Sequence, residues 1–163
     1  MQRVALKIGR KNLLRKSIIL IKSWMTYESS LLGSHAANMA TYALYIIVIF
    51  LLNNFYDELQ SPLDVFRKYF DYFGSETKNF DWENRMLTIF GPVKTLNFSE
   101  RIKNEGGYDI DKLALIDRET DPQLADRPLL FKPEDLYDQQ IRYATVRLLS
   151  SHSLSHQTLN SLD

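Results

Sequence analysis

The stretch RKSIILIKSWMTYESSLLGSHAANMATYALYIIVIFLL, residues 15–52, decides the fold of this chain. It contains two apolar patterns of helical length, and polar residues interrupt both. Lys22 lies inside the first pattern, and Thr41 and Tyr42 open the second. Charged and hydroxyl groups among buried side chains cost free energy unless something compensates them. These three residues are therefore candidates for a ligand site.

The spacing of the apolar residues predicts helices on both sides of Gly33. In the first pattern they recur at steps of four, three and four, at Leu14, Ile18, Ile21 and Met25. This predicts a helix over residues 10–27. Ser34 follows the glycine and can cap a second helix that runs to about Phe55.

A third helix is predicted from its own capping residues. Ser61 is suited to the N-cap, Pro62 to the first helical position, and Asp64 completes a capping box. The apolar face that follows ends just before Gly74 and contains Leu63, Phe66, Tyr69, Phe70 and Phe73. A glycine at this position is typical of the end of a helix.

The second half of the chain has weaker signals. Residues 86–90 form an apolar run that Gly91 and Pro92 close, which predicts a short strand or hairpin near residues 85–93. We expect a charged loop or insertion over about 99–128, because glycines, a proline and many charges interrupt any apolar period.

The end of the chain is predicted to contain one more helix. It begins near Pro133, with Glu134 and Asp135 in its first turn, and ends near residue 149. Residues 150–163 are serine-rich and are expected to form a flexible tail. The predicted fold is mainly α: one domain over residues 1–149, a bundle of about four to five helices with a short strand or hairpin.

Charge and composition narrow the class of function. The 163 residues suit one domain, and the lack of cysteine excludes disulfides and thiolate metal sites. The net charge is zero, but residues 1–27 carry seven basic residues and no acid, which leaves a net charge of −7 on the rest. This asymmetry favours a local anionic partner over a basic coat for nucleic acid.

A membrane location is not expected. The apolar run at residues 39–52 is about two-thirds of the ~20 residues that cross a bilayer, so we interpret it as a core helix. Basic residues are scattered through the N-terminal 16 positions, unlike a signal peptide. We expect an intracellular protein, in the cytoplasm or the nucleus.

A stripe of cations on the first helix could hold a triphosphate. At 100° per residue, Lys11, Arg15 and Lys22 lie on one face together with Ile18. The alternative is that Lys22 extends its aliphatic part past the edge of the core and reaches water.

The second helix offers hydroxyl and aromatic groups. Asn38, Tyr42 and Tyr45 share one face and Thr41 is the next position round. A tyrosine here could stack on a base while the neighbouring hydroxyl reaches a phosphate, near a helix N-terminus that favours anions. Alternatively the two tyrosines pack in the core.

Two other patterns are weak candidates for metal sites. Asp109 and Asp111 resemble a carboxylate pair, but no strand precedes them to fix the carboxylates. His152 and His156 have the spacing of a helical zinc pair, but they lie in the serine-rich tail without cysteine ligands. We therefore predict no metal-binding and no catalytic residue in this chain.

Four segments, in order and spacing, resemble a known domain: RKSIILIKSWMTYESSLLG (15–33), TYALYIIVIFLLNNF (41–55), SPLDVFRKYFDYFG (61–74) and FDWENRMLTIFGPV (80–93). They are similar to the helical, substrate-binding domain of plant-type nucleotidyltransferases. These enzymes belong to the superfamily of non-canonical poly(A) polymerases, terminal uridylyltransferases and oligoadenylate synthetase. The resemblance covers about residues 11–93 and, weakly, residues 129–143.

The resemblance implies a fold like the central domain of poly(A) polymerase and specific roles for three residues. The lysine of the first element contacts the nucleotide phosphates, which would be Lys22. The hydroxyl residue of the second reaches the triphosphate and the following tyrosine stacks on the base, which would be Thr41 and Tyr42. Lys11 and Arg15 are candidates for further phosphate or RNA contacts.

The family also has a catalytic palm domain, whose carboxylates hold Mg²⁺, and we find no such segment here. The expected function is therefore the NTP- and RNA-binding central domain of an enzyme that extends RNA 3′ ends, inactive by itself and a fragment without its palm. The alternative is a non-catalytic helical scaffold that binds RNA or a protein partner.

Overall fold

A computed structural model describes residues 2–27, 41–74, 79–81, 83–95, 100–101, 103 and 110–136. In chain order the elements are α1 (Gln2–Ile8), α2 (Leu13–Tyr27), α3 (Thr41–Asn54), α4 (Pro62–Phe73), β1 (Arg85–Leu87), β2 (Pro92–Lys94), α5 (Ile110–Glu119) and a 3₁₀ turn (Pro133–Asp135). The predicted mainly α bundle with a short hairpin is confirmed.

Helix α3 is the centre of the molecule. Every residue from Ile46 to Asn54 is buried, as are Ala43 and Leu44. Helices α2 and α4 pack against α3 and against each other, and β1 contacts α3 as well. This surrounding explains why the α3 sequence is apolar on all sides and shows no polar stripe. In the part of the chain that the structure describes, no helix combines the length and apolarity needed to cross a membrane.

Helix α4 has the predicted capping box. The Ser61 hydroxyl accepts a hydrogen bond from the Asp64 N–H at 3.3 Å, and the Asp64 carboxylate accepts one from the Ser61 N–H at 2.8 Å. The hydrogen bonds from Ser61 hold the pKa of Asp64 below its usual value. At the other end, the Gly74 N–H donates to the carbonyl of Phe70 at 2.8 Å. Both predicted ends of this helix are confirmed.

The predicted first helix, residues 10–27, begins too early. Residues 9–12 have φ angles of 60°, 42°, 53° and 66°, so they form a left-handed turn between α1 and α2. The Arg10 guanidinium explains the turn: it donates to the carbonyls of Tyr56 and Leu59 and lies 3.6 Å above the Tyr56 ring. These contacts offset the cost of about 1–3 kcal/mol for each non-glycine residue in this conformation.

The hairpin pairs β1 and β2 in antiparallel register, Arg85 with Lys94 and Leu87 with Pro92. The predicted strand over 86–90 is shorter than expected because Thr88 starts the turn. Its hydroxyl donates to the Gly91 carbonyl at 2.9 Å and accepts from the N–H groups of Phe90 and Gly91, both at 3.1 Å.

The charged segment predicted to be a loop contains helix α5, and the prediction is wrong for these ten residues. Leu113 and Ala114 are buried on the side that packs against β2. The nearby Asp117 is also buried, and it is paired: Arg101 donates to its two carboxylate oxygens at 2.5 and 2.9 Å. A buried carboxylate is tolerated when it is paired in this way. Asp117 is therefore compatible with a helix that packs against the core.

The final predicted helix is described only at its start. Residues 133–135 form a single 3₁₀ turn, and the N–H of Leu136 donates to the carbonyl of Pro133 at 3.1 Å. The rest of the predicted helix and the tail 150–163 lie outside the described residues. So do Ser34, Asn38, Asp109, His152 and His156.

Candidate functional site

The first turn of α3 is where this central helix reaches the surface. Thr41 is exposed, the Tyr42 side chain is 57% exposed, and Tyr45 one turn later is half-buried. The buried part begins at Ala43. The premise that Thr41 and Tyr42 intrude into a core is therefore wrong: they precede the buried part. The alternative that Tyr42 packs in the core is wrong for the same reason.

Lys22 is also exposed, although its neighbours Ile18 and Met25 are buried. On a helix Lys22 lies about 40° from Ile18 and about 60° from Met25, so it occupies the edge of the buried face. The lysine therefore reaches solvent, as the alternative of an extended side chain requires. Among the described residues its ammonium group has no hydrogen bond or ion pair, so it is free to bind an anion.

The contacts of α2 show which of its edges carries Lys22. Trp24 packs against α4, with ring centroids 5.7 Å from Phe66 and 4.8 Å from Phe70. Trp24 lies two positions after Lys22, and two helical steps of about 100° place the two side chains about 160° apart. Lys22 therefore lies on the edge of α2 away from α4. No contact between Lys22 and Thr41 or Tyr42 is found among the described residues.

The predicted stripe of three cations is only partly helical. Arg15 and Lys22 are both exposed and share a face of α2, separated by about 10 Å along the helix axis. Lys11 is exposed as well, but it belongs to the left-handed turn before α2. The helical argument for Lys11 is therefore wrong.

The buried end of α3 carries a polar network that the sequence interpretation missed. Asn53 donates to the carbonyl of Ile89 at 3.0 Å and accepts from the N–H of Phe131 at 2.8 Å. Asn54 accepts from Arg118 of α5 at 2.9 Å. The signal in the sequence is the pair of asparagines at the end of a long apolar run. The network attaches the hairpin and α5 to α3.

A cavity of about 240 Å³ lies at the same end of the helix, lined by residues 54–57 and 127–130. The cation that lines this cavity, Arg127, already has partners within the protein. The guanidinium pairs with Glu58 and lies 4.7 Å above the Phe55 ring. Burial raises the pKa of Glu58, but hydrogen bonds from Lys68 and Arg127 outweigh this effect and lower it. We therefore do not place the ligand site here.

The family resemblance implies magnesium, but the residues that the structure describes do not form a site for it. Among the described ranges no three side chains of His, Cys, Asp or Glu are grouped so that they could hold a metal ion. Asp111, one of the two aspartates considered in the sequence, is buried in α5. We derive no catalytic step through a metal in this chain.

Comparison with known proteins identifies the family. No curated protein matches the chain, and no solved structure matches it. The family model of the PAP/OAS1 substrate-binding domain matches residues 8–127, which is more than half of the chain and includes α2 to α5. This confirms the resemblance inferred from the sequence segments. The chain belongs to the family of PAP/OAS1 substrate-binding domains, and its role is that of a substrate-binding domain in nucleotidyltransferases.

Proposed function

We propose that this chain binds the incoming nucleoside triphosphate, and the RNA 3′ end, for a poly(A) polymerase-like nucleotidyltransferase. One observation carries the proposal. The central helix α3 is exposed at its first turn, and that turn presents Thr41 and Tyr42, two of the three residues for which the family resemblance implies nucleotide contacts. The exposed Lys22 lies on the neighbouring helix α2.

Each residue has a role suited to its chemistry. The ammonium group of Lys22 neutralises phosphate oxygens, and a charge-assisted hydrogen bond of this kind is stronger than a neutral one. The Thr41 hydroxyl donates to the triphosphate. The ring of Tyr42 is exposed and stacks on the base. Arg15 and Lys11 extend the cationic surface toward the RNA backbone.

The catalytic chemistry belongs elsewhere in this proposal. A palm domain, in the same polypeptide or in a partner, supplies the carboxylates and the magnesium. Bound there, the metal would supply charge stabilisation at the phosphates. The RNA 3′-hydroxyl would form its new bond to the α-phosphate in line with the departing pyrophosphate. This chain holds and orients the triphosphate and the RNA.

Calorimetry on three variants tests the proposal. Lys22→Ala should weaken binding of a triphosphate about ten- to a hundred-fold, since a charge-assisted contact is worth roughly 1.5–3 kcal/mol. It should leave binding of the nucleoside unchanged. Tyr42→Ala should weaken both ligands equally, because stacking is worth about 1–3 kcal/mol per base and does not involve phosphates. Lys94→Ala, which removes an exposed lysine of the hairpin, is the matched control.

Calorimetry requires that the chain bind the triphosphate with measurable affinity. The chain should therefore be tested alone and also joined to a palm domain, if one is found in the gene. Equal triphosphate affinity for Lys22→Ala, Lys94→Ala and the unmodified protein would contradict the site. It would favour the alternative of a helical scaffold that binds RNA or protein without a nucleotide.

A further inference from the structure

A row of partly exposed rings lies along the seam between α2 and α4. We call it the aromatic edge and define it as Trp24 and Tyr27 of α2 with Phe66 and Phe70 of α4. Tyr27 is 82% exposed and Phe70 is 39% exposed, while Trp24 and Phe66 are half-buried. Large apolar groups that remain open to solvent along a seam are typical of an interaction surface.

Three rings of the aromatic edge, those of Trp24, Phe66 and Phe70, fix one another by edge-to-face contacts. The planes of Trp24 and Phe70 meet at 82° and those of Phe66 and Phe70 at 90°. Tyr27 makes no ring contact with any residue that the structure describes. The tyrosine therefore presents its ring to solvent, beside rings that packing already holds in place. A rigid aromatic group loses little conformational entropy when a planar ligand stacks on it.

Each of the two helices carries one exposed cation in the same row as its apolar residues. On α2, Lys16 begins a row that continues at steps of four, four and three through Leu20, Trp24 and Tyr27. On α4, Arg67 lies four residues after Leu63 and three before Phe70, on the same side of the helix. Both Lys16 and Arg67 are exposed.

Among the described residues of α2 and α4, the acidic side chains lie away from Phe70. Helix α2 has none, since residues 1–27 contain no acid. The two acids of α4 lie about 100–120° round the helix from Phe70, and both are occupied. Asp64 accepts hydrogen bonds from Ser61, and Asp71 pairs with Lys68 at 3.6 Å.

Exposed rings with one exposed cation in the same row on each helix match one kind of polymer. Single-stranded nucleic acid offers a base to each ring and a phosphate to each cation, and stacking accepts any base. A duplex keeps its bases stacked inside and cannot use the rings. An acidic protein segment would satisfy the cations but would leave the rings without planar partners.

We propose that the aromatic edge binds single-stranded RNA, with bases on Tyr27 and Phe70 and phosphates at Lys16 and Arg67. This inference rests on the proposed function only in taking RNA as the polymer. Trp24 and Lys22 lie on opposite edges of α2, so the RNA track is separate from the nucleotide site. The two sites can be tested independently.

The test is fluorescence anisotropy with the whole chain and a labelled oligoadenylate of about 12 nucleotides, within the usual site size for single strands. Tyr27→Ala and Phe70→Ala should each weaken binding about five-fold or more. Arg67→Gln should reduce the dependence of log affinity on log salt by about 0.7, the value for one phosphate contact to a single strand. Leu6→Ala, at an exposed apolar residue of α1, and Lys94→Gln are the matched controls.

The outcomes separate the two proposals. If a duplex of the same length competed as well as the single strand, the RNA proposal would be overturned. Equal RNA affinity in all variants would overturn it as well. Loss of triphosphate binding in Lys22→Ala would still support the nucleotide site in that case. Absence of RNA binding by the unmodified chain would also overturn the inference. A concentration-dependent dimer in sedimentation that Phe70→Ala abolishes would overturn it too, because a second copy would then occupy the aromatic edge.

Discussion

Arg118 donates from its Nε atom to the side-chain oxygen of Asn54 at 2.9 Å and so joins α5 to the buried end of α3. The same guanidinium donates to the carbonyl of Arg127. Arg118 is only 7% exposed, and burial lowers its pKa while the charge of Asp121 opposes that shift. A buried arginine is tolerated here because its donors have acceptors.

Replacing Arg118 by leucine should destabilise the protein strongly. The change leaves the oxygens of Asn54 and Arg127 without a donor, and each unpaired buried group costs about 1–3 kcal/mol. We expect a loss of about 2–4 kcal/mol in the free energy of unfolding, measured by urea denaturation. Arg67→Leu, at an exposed arginine, is the control and should change it by less than about 0.5 kcal/mol. Similar losses in the two variants would contradict the role of the network.

Asn53→Ala should be costly for a related reason. The side chain accepts from the Phe131 N–H and donates to the Ile89 carbonyl, so its removal leaves a buried donor and a buried acceptor. We expect a loss of about 2–4 kcal/mol in urea denaturation. Asn79→Ala removes a solvent-exposed hydrogen bond of similar length, 2.8 Å to the carbonyl of Asp71. That control should lose less than about 1 kcal/mol, and equal losses would refute the argument.

Gly91 is a position where an added methyl group would meet its neighbours in tight contact. A Cβ atom there would lie 3.2 Å from the carbonyl oxygen of Ala114 and 3.3 Å from the Cβ of Arg118. Gly91→Ala should push the hairpin away from α5 and cost about 1–3 kcal/mol. Gly74→Ala is the matched control, because the φ of −65° at Gly74 suits alanine. Thermal denaturation of both variants checks this, and an unchanged melting temperature for Gly91→Ala would disprove the close contact.

The alkaline limit of stability should depend on Tyr69. Burial raises the pKa of Tyr69 to about 12, against 10.0 ordinarily. The folded state therefore keeps the phenol proton between these values while the unfolded state loses it. The resulting contribution to stability is complete below pH 10 and is lost as pH rises toward 12.

Tyr69→Phe removes this titration. We expect a smaller decline of the unfolding free energy between about pH 10 and 12, by about 2–3 kcal/mol at most. The buried Tyr72, whose pKa is also raised by burial and by Asp121, keeps part of the decline in the variant. Tyr27→Phe, at an exposed tyrosine, serves as the control. Identical pH profiles for Tyr69→Phe and the unmodified protein would contradict the assignment.

The parts of the fold that depend on neighbouring residues could be predicted from the sequence. Helix α4 is the clearest case, because Ser61, Pro62 and Asp64 form its cap within four positions. The left-handed turn at residues 9–12 could not, because the groups that hold Arg10 are the carbonyls of Tyr56 and Leu59, more than forty positions away. Helix α5 could not be predicted because the many charges of this segment are typical of a loop, whereas Asp117 is buried against Arg101.

For the candidate site, the sequence identified residues but not their surroundings. Lys22, Thr41 and Tyr42 are candidates from the sequence because they are polar residues in or next to apolar helical patterns. The structure places all three at the surface, so a Lys22→Met change should alter stability by less than about 0.5 kcal/mol. Only ligand binding, and not stability, can therefore distinguish the nucleotide site from a scaffold.

The burial of α3 has a mechanical consequence for the residues at its exposed end. A helix with a polar stripe can rotate slightly about its own axis, because the stripe faces solvent before and after the rotation. From Ala43 onward α3 has buried residues on every side, apart from the half-buried Tyr45, and close-packed interiors resist such rotation. The packing of α2, α4 and β1 around α3 therefore fixes the direction in which the side chains of Thr41 and Tyr42 point.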